Sequence, residues 1–129
     1  MDNSQKRPIL VCVHPESAEE ILYSLLTNQN FQVVVAKSSS ECLEKIHSAE
    51  FNALVIDADF LKMQNEVDIP LLRELTISLP VIVTAGKENL EIENKIREEE
   101  IFYYIVKPVE QKELIEAVEE AIKWSQRNK

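Results

Sequence analysis

Five apolar runs of strand length punctuate the chain: ILVCV (9–13), FQVVVA (31–36), ALVI (53–56), PVIV (80–83) and YYIV (103–106). Three of them are continuously apolar and rich in Val and Ile, the composition of strands covered on both faces. The segments between them carry helical spacing instead. Ile21, Leu22, Leu25 and Leu26 make one stripe. Cys42, Leu43 and Ile46 make a second, entered through SSSE, where Ser38 and Glu41 suit a capping box. A shorter helix over 67–77 has Pro70 near its first turn. A fourth, about 88–99, sets Ile92 and Ile96 against a charged surround. The last carries Leu114, Ala117, Val118, Ala121 and Ile122 at helical repeat positions. Strand and helix thus alternate five times, which predicts a parallel sheet with helices on both faces, joined by right-handed crossovers.

A chain of 129 residues suits one domain with a real core, and no linker interrupts the pattern. Residues 1–129 are therefore read as a single domain with its core at about 7–124. No apolar run approaches the roughly 20 residues of a membrane-spanning helix, and MDNSQKRP lacks the apolar stretch of a secretory signal. A cytoplasmic location and no membrane partner are the expectation. The net charge of −9 argues against nucleic acid, whose phosphates need clustered Lys and Arg. The two cysteines, Cys12 and Cys42, sit in apolar patterns without zinc spacing and read as buried reduced thiols. A single glycine, Gly86, leaves no dinucleotide fingerprint and no phosphate loop.

Ligands of open α/β sheets sit beyond the carboxyl ends of the strands. There the chain places His14, Pro15 and Glu16; Lys37 and Ser38; Asp57, Ala58 and Asp59; Thr84, Ala85 and Gly86; and Lys107 and Pro108. Asp57, Thr84 and Lys107 are a carboxylate, a hydroxyl and a cation closing three neighbouring strands. That set suits a phosphoryl group: the carboxylate can be phosphorylated, and the other two can bind the added oxygens. Singly, each has a plainer reading, as a turn aspartate, a helix-capping threonine and a surface lysine.

Together these residues resemble a response-regulator receiver domain of the chemotaxis-regulator type, over about residues 7–124. FNALVIDADF resembles the third strand with its phosphoacceptor, which places that role on Asp57. LPVIVTA resembles the fourth strand, ending in the switch hydroxyl, Thr84. YYIVKPVEQKEL resembles the fifth strand with its phosphate-binding lysine, Lys107, and the switch aromatic, Tyr104. The resemblance implies a flavodoxin-like (βα)5 fold with strand order 2-1-3-4-5. It implies a non-enzymatic signalling module of a two-component phosphorelay. The donor would be a histidine kinase or phosphotransfer protein, and the output a downstream protein. A homodimer is compatible with it. Magnesium is the cofactor implied, and the added charge of roughly −2 would draw Thr84 and Lys107 inward, with Tyr104 following.

The chain departs from that pattern where the family holds its metal. Val13 and His14 stand in place of the acidic pair after strand one. Valine offers no ligand, and neutral imidazole suits softer metals than magnesium. Asp57 and Asp59 remain, and Glu16 is a weak further ligand behind the stiff Pro15. The family's proline near Leu61 is absent, and Glu100 stands where a glycine usually precedes strand five, removing a favoured helix cap. Two readings stay open: a phosphorylatable receiver, and a pseudo-receiver acting as a phosphorylation-independent interaction module. A flavin or nucleotide enzyme on this fold would want a Ser/Thr/Gly-rich loop where HPES stands.

Overall fold

The computed structural model describes residues 7–14, 19–27, 31–63, 66–87 and 90–128. In chain order β1 (Pro8–Cys12) leads to α1 (Glu19–Thr27), β2 (Gln32–Ala36) to α2 (Ser39–Ser48), and β3 (Ala53–Asp57) to the short α3 (Ala58–Leu61). A small hairpin of β4 (Lys62–Met63) and β5 (Glu66–Val67) follows, then α4 (Ile69–Ser78), β6 (Val81–Ala85), α5 (Leu90–Arg97), β7 (Tyr103–Val106) and α6 (Gln111–Arg127). The five long strands form one parallel sheet, ordered β2-β1-β3-β6-β7. This is the expected 2-1-3-4-5 arrangement of the flavodoxin-like fold, with the sheet strands counted in sequence.

Alternation along each strand divides the core into two layers. Ile9 and Val11 face the same way as Val55, Ile82 and Ile105, and they pack with Leu22 and Leu26 of α1 and Leu114, Val118 and Ile122 of α6. Leu10, Cys12, Leu54, Ile56, Val83 and Tyr104 face the other way, among Cys42 of α2, Leu72 and Leu75 of α4 and Ile96 of α5. All five residues of β3 and of β6 are buried. Apolar residues fill every position there except Asp57 and Thr84, since neither face meets water.

Helices α2, α3 and α4 begin at side-chain caps, whereas Glu110 at the start of α6 makes no such bond. Ser38 Oγ accepts the Glu41 amide at 3.1 Å, as a capping box requires. The reciprocal half differs: the Glu41 carboxylate accepts the Lys37 amide, one residue ahead of the cap, at 2.8 Å. Helix α4 starts at Ile69 rather than at 67. Asp68 caps it, its Oδ1 accepting the Leu71 amide at 3.1 Å, and Pro70 occupies the first turn. Neither α3 nor the β4–β5 hairpin is visible as periodicity, because two to four residues are too few to carry a period. At the end of α5, where Glu100 replaces the usual glycine, Glu99 is held by Arg73 of α4 through bonds of 2.8 and 3.3 Å. The exit itself closes through backbone bonds, the Glu98 amide to Asn94 and the Glu99 amide to Ile96.

Candidate functional site

The registers Asp57↔Thr84 and Ala85↔Val106 bring the carboxyl ends of β3, β6 and β7 level with one another. Asp57 is the last residue of β3 and is fully buried, as is Thr84 near the end of β6. Lys107 follows β7 directly, its peptide bond to Pro108 in the cis form. The Thr84 hydroxyl donates to Asp57 Oδ1 at 2.8 Å, and Lys107 Nζ lies 2.7 Å from the same oxygen. Asp57 Oδ2 accepts the Asp59 amide at a longer 3.3 Å. A buried carboxylate costs several kcal/mol unless it is paired and hydrogen-bonded. Here one ammonium, one hydroxyl and one amide meet that requirement.

Beyond Asp57 opens a cleft of about 270 Å³, lined among others by Asp59, Lys62, Gly86, Tyr104 and Lys107. Tyr104 is buried on this side of the sheet. Burial, with help from Glu93, raises its phenol above the ordinary value, while Arg97 acts the other way. The Arg97 guanidinium stacks 4.4 Å from the Tyr104 ring centre and is itself held by Glu93 at 2.7 Å. Sequence reasoning passed over Arg97 and Lys62. The i, i+4 spacing of Glu93 and Arg97 was a usable signal for their pairing, but nothing local points either residue at Tyr104.

A family model described as the response regulator receiver domain matches residues 9–119. The chain belongs to this receiver-domain family. Solved structures agree with that placement. A response regulator receiver domain protein from Clostridium thermocellum is 26% identical, with a TM-score of 0.78 over 95% of this chain and 99% of that one. A CheY-like receiver domain protein from Methanospirillum hungatei JF-1 shares the fold at 22% identity, TM-score 0.78, covering 97% and 100% of the two chains. NtrX from Brucella abortus shares it at 20% identity and TM-score 0.80, over 96% of this chain but 28% of that one. No curated protein sequence matches the chain significantly.

Receiver domains generally hold magnesium at an acidic site, and the donors in this one do not fit that ion. Val13 is fully buried and aliphatic, and His14 is exposed. Asp57 Oδ1 is engaged by Thr84 and Lys107, and Asp59 lies 3.4 Å from Lys62 Nζ. Among the described residues no three His, Cys, Asp or Glu side chains gather to hold a metal. Glu16 lies outside the described residues. Magnesium favours an octahedron of hard oxygens with carboxylates in it, and among the described residues two aspartates, each already beside a lysine, do not supply that. Among the described residues no helix is long and apolar enough to cross a membrane.

Proposed function

We propose that this receiver domain accepts a phosphoryl group on Asp57 and uses it to set a partner-binding surface. The observation that carries this reading is the convergence of Thr84 and Lys107 on one oxygen of a buried aspartate, at 2.8 and 2.7 Å. Oδ1 holds both short contacts, so Oδ2 is the attacking oxygen. It forms an O–P bond as the N–P bond of a phosphohistidine breaks, leaving an acyl phosphate on Asp57. Lys107 and Thr84 then transfer their contacts to the phosphoryl oxygens, as charge-assisted bonds favour. Tyr104 is the link outward, because it lines the same cleft and packs against α5. The donor is a histidine kinase or phosphotransfer protein, and the receiving surface is that of α5, β7 and α6. Residues of about 7–124 act as the functional unit. Incubation with a small phosphodonor in magnesium buffer is expected to add one phosphate to the wild type and none to Asp57→Asn. A native mass that never rises under saturating donor defeats the proposal.

A second reading, a pseudo-receiver, is favoured by Val13 and His14 at the place of the acidic pair. On this reading Thr84 and Lys107 close on Asp57 as a permanent structural cluster, and partner binding does not depend on phosphate. It predicts that Asp57→Ala leaves partner binding intact; loss of the partner on that substitution counts against it.

A further inference from the structure

Cys12 closes β1 and Cys42 lies in the first half of α2, and neither enters the chemistry at Asp57. Both thiols are free and fully buried. Their sulfurs are 3.2 Å apart, with the Cys12 thiol donating to Cys42. That separation is shorter than the roughly 3.5–4.0 Å of ordinary packing contacts between carbons. A disulfide needs ~2.05 Å between sulfurs, so the pair must close by only about 1 Å. The two side chains come from different elements, thirty positions apart in sequence, so their meeting is a product of the fold.

We propose that Cys12 and Cys42 form a reversible dithiol–disulfide couple, a modification site next to the phosphoacceptor strand and separate from its chemistry. Cys42 is the sulfur that reacts first. The hydrogen bond from Cys12 lowers its thiol below the ordinary value, whereas burial pushes Cys12 well up. The oxidant class is a small peroxide. The Cys42 thiolate attacks one peroxide oxygen and the O–O bond breaks. The departing hydroxide takes up the proton that Cys42 released, leaving as water, and Cys42 becomes a sulfenic acid. The Cys12 sulfur then attacks the sulfenic sulfur. An S–S bond forms, the S–O bond breaks, and hydroxide leaves with the Cys12 proton as a second water. Two thiols have lost two protons and two electrons, and the peroxide has become two waters.

The bridge ties α2 to the carboxyl end of β1. Cys12 is paired across the sheet with Ile56, the residue before Asp57, and is followed by Val13, whose amide donates to Ala36 at 3.3 Å. In a reducing compartment such a bond is transient and redox-sensing rather than structural.

The chain has two cysteines, so any intrachain disulfide joins these two. The reduced full chain is treated with hydrogen peroxide under native conditions, quenched, denatured and alkylated, then weighed intact and as peptides. The expected result is a mass lower by two hydrogens, no alkyl adducts and one cross-linked peptide pair. Dithiothreitol should restore two adducts. Cys12→Ser should stop at a sulfenic acid on Cys42, trapped by dimedone. The wild-type chemistry decides the matter even if that variant folds poorly. Two alkylated thiols after peroxide, oxygen added without a cross-link, or disulfides only between chains would each overturn the proposal.

Discussion

The charge balance at Asp57 is the residue-scale fact with the widest consequences. Lys107 is the cation paired with a fully buried carboxylate, and its own side chain is 30% exposed. Removing one partner of a buried pair costs ~3–5 kcal/mol, and the partial exposure of Lys107 places this case at the lower end. Lys107→Met is expected to destabilise the fold by about 3 kcal/mol in urea unfolding. Adding Asp57→Asn to it should recover most of that loss, because the unpaired charge is gone. A double variant as unstable as Lys107→Met would place the cost in packing instead. Tyr104 gives a second test. Burial raises its phenol above the usual value, which is near 10. The unfolded chain then ionises first as pH rises. The stability due to this group is intact below about 10 and is lost as pH climbs through the folded value. Phenolate absorbance should show a late component that Tyr104→Phe removes, and the Phe variant should lose less stability above that pH.

At the scale of elements, the start of α2 is set by side chains next to it, which is why it was readable. Ser38 and Glu41 announce α2, and the Ser38 bond to the Glu41 amide is present at 3.1 Å. Ser38→Ala is expected to cost ~1 kcal/mol, measured by chemical denaturation. Asp68 gives the same signal for α4, but the expected range of 67–77 ran past it because Val67 continues the apolar pattern. Val67 belongs instead to the β4–β5 hairpin. The strands were legible to within two residues, since two-sided burial demands continuous apolar runs. Their last residues were less so. Thr84 and Ala85 extend β6 beyond the apolar run, because sheet pairing with β7 continues through them. Glu100 in place of glycine removes a favoured cap at the exit of α5. The exit closes through backbone bonds of Glu98 and Glu99, with Arg73 paired to Glu99 from twenty-six positions away.

The whole molecule is described by linkage, since a ligand that binds only the folded state raises its stability by mass action. The depleted metal site makes a definite statement here. Magnesium near saturation for an ordinary receiver should shift the unfolding free energy of the wild type by less than ~0.5 kcal/mol. His14→Asp should introduce a response of ~1 kcal/mol at several times the dissociation constant, read by thermal unfolding or by NMR near Asp57. NMR is preferable to tryptophan emission, because Trp124 lies in the last turns of α6. A wild type that already responds as the variant does would show that the ligands come from elsewhere in the chain.

Local periodicity by itself determined the alternating α/β order and the two-faced sheet. It also placed Asp57, Thr84 and Lys107 at strand ends, because burial on a repeating backbone leaves a repeating trace in one dimension. Periodicity likewise put Val13 and His14 at the end of the first strand, but only the resemblance to receiver domains marked them as a departure from an acidic pair. Only the tertiary structure decided which oxygen of Asp57 its two partners share, that Arg97 covers Tyr104, and that Cys12 meets Cys42. Each of those depends on the register between strands and on the packing of a helix over a sheet. These are distances between residues far apart in sequence, and no local pattern encodes them.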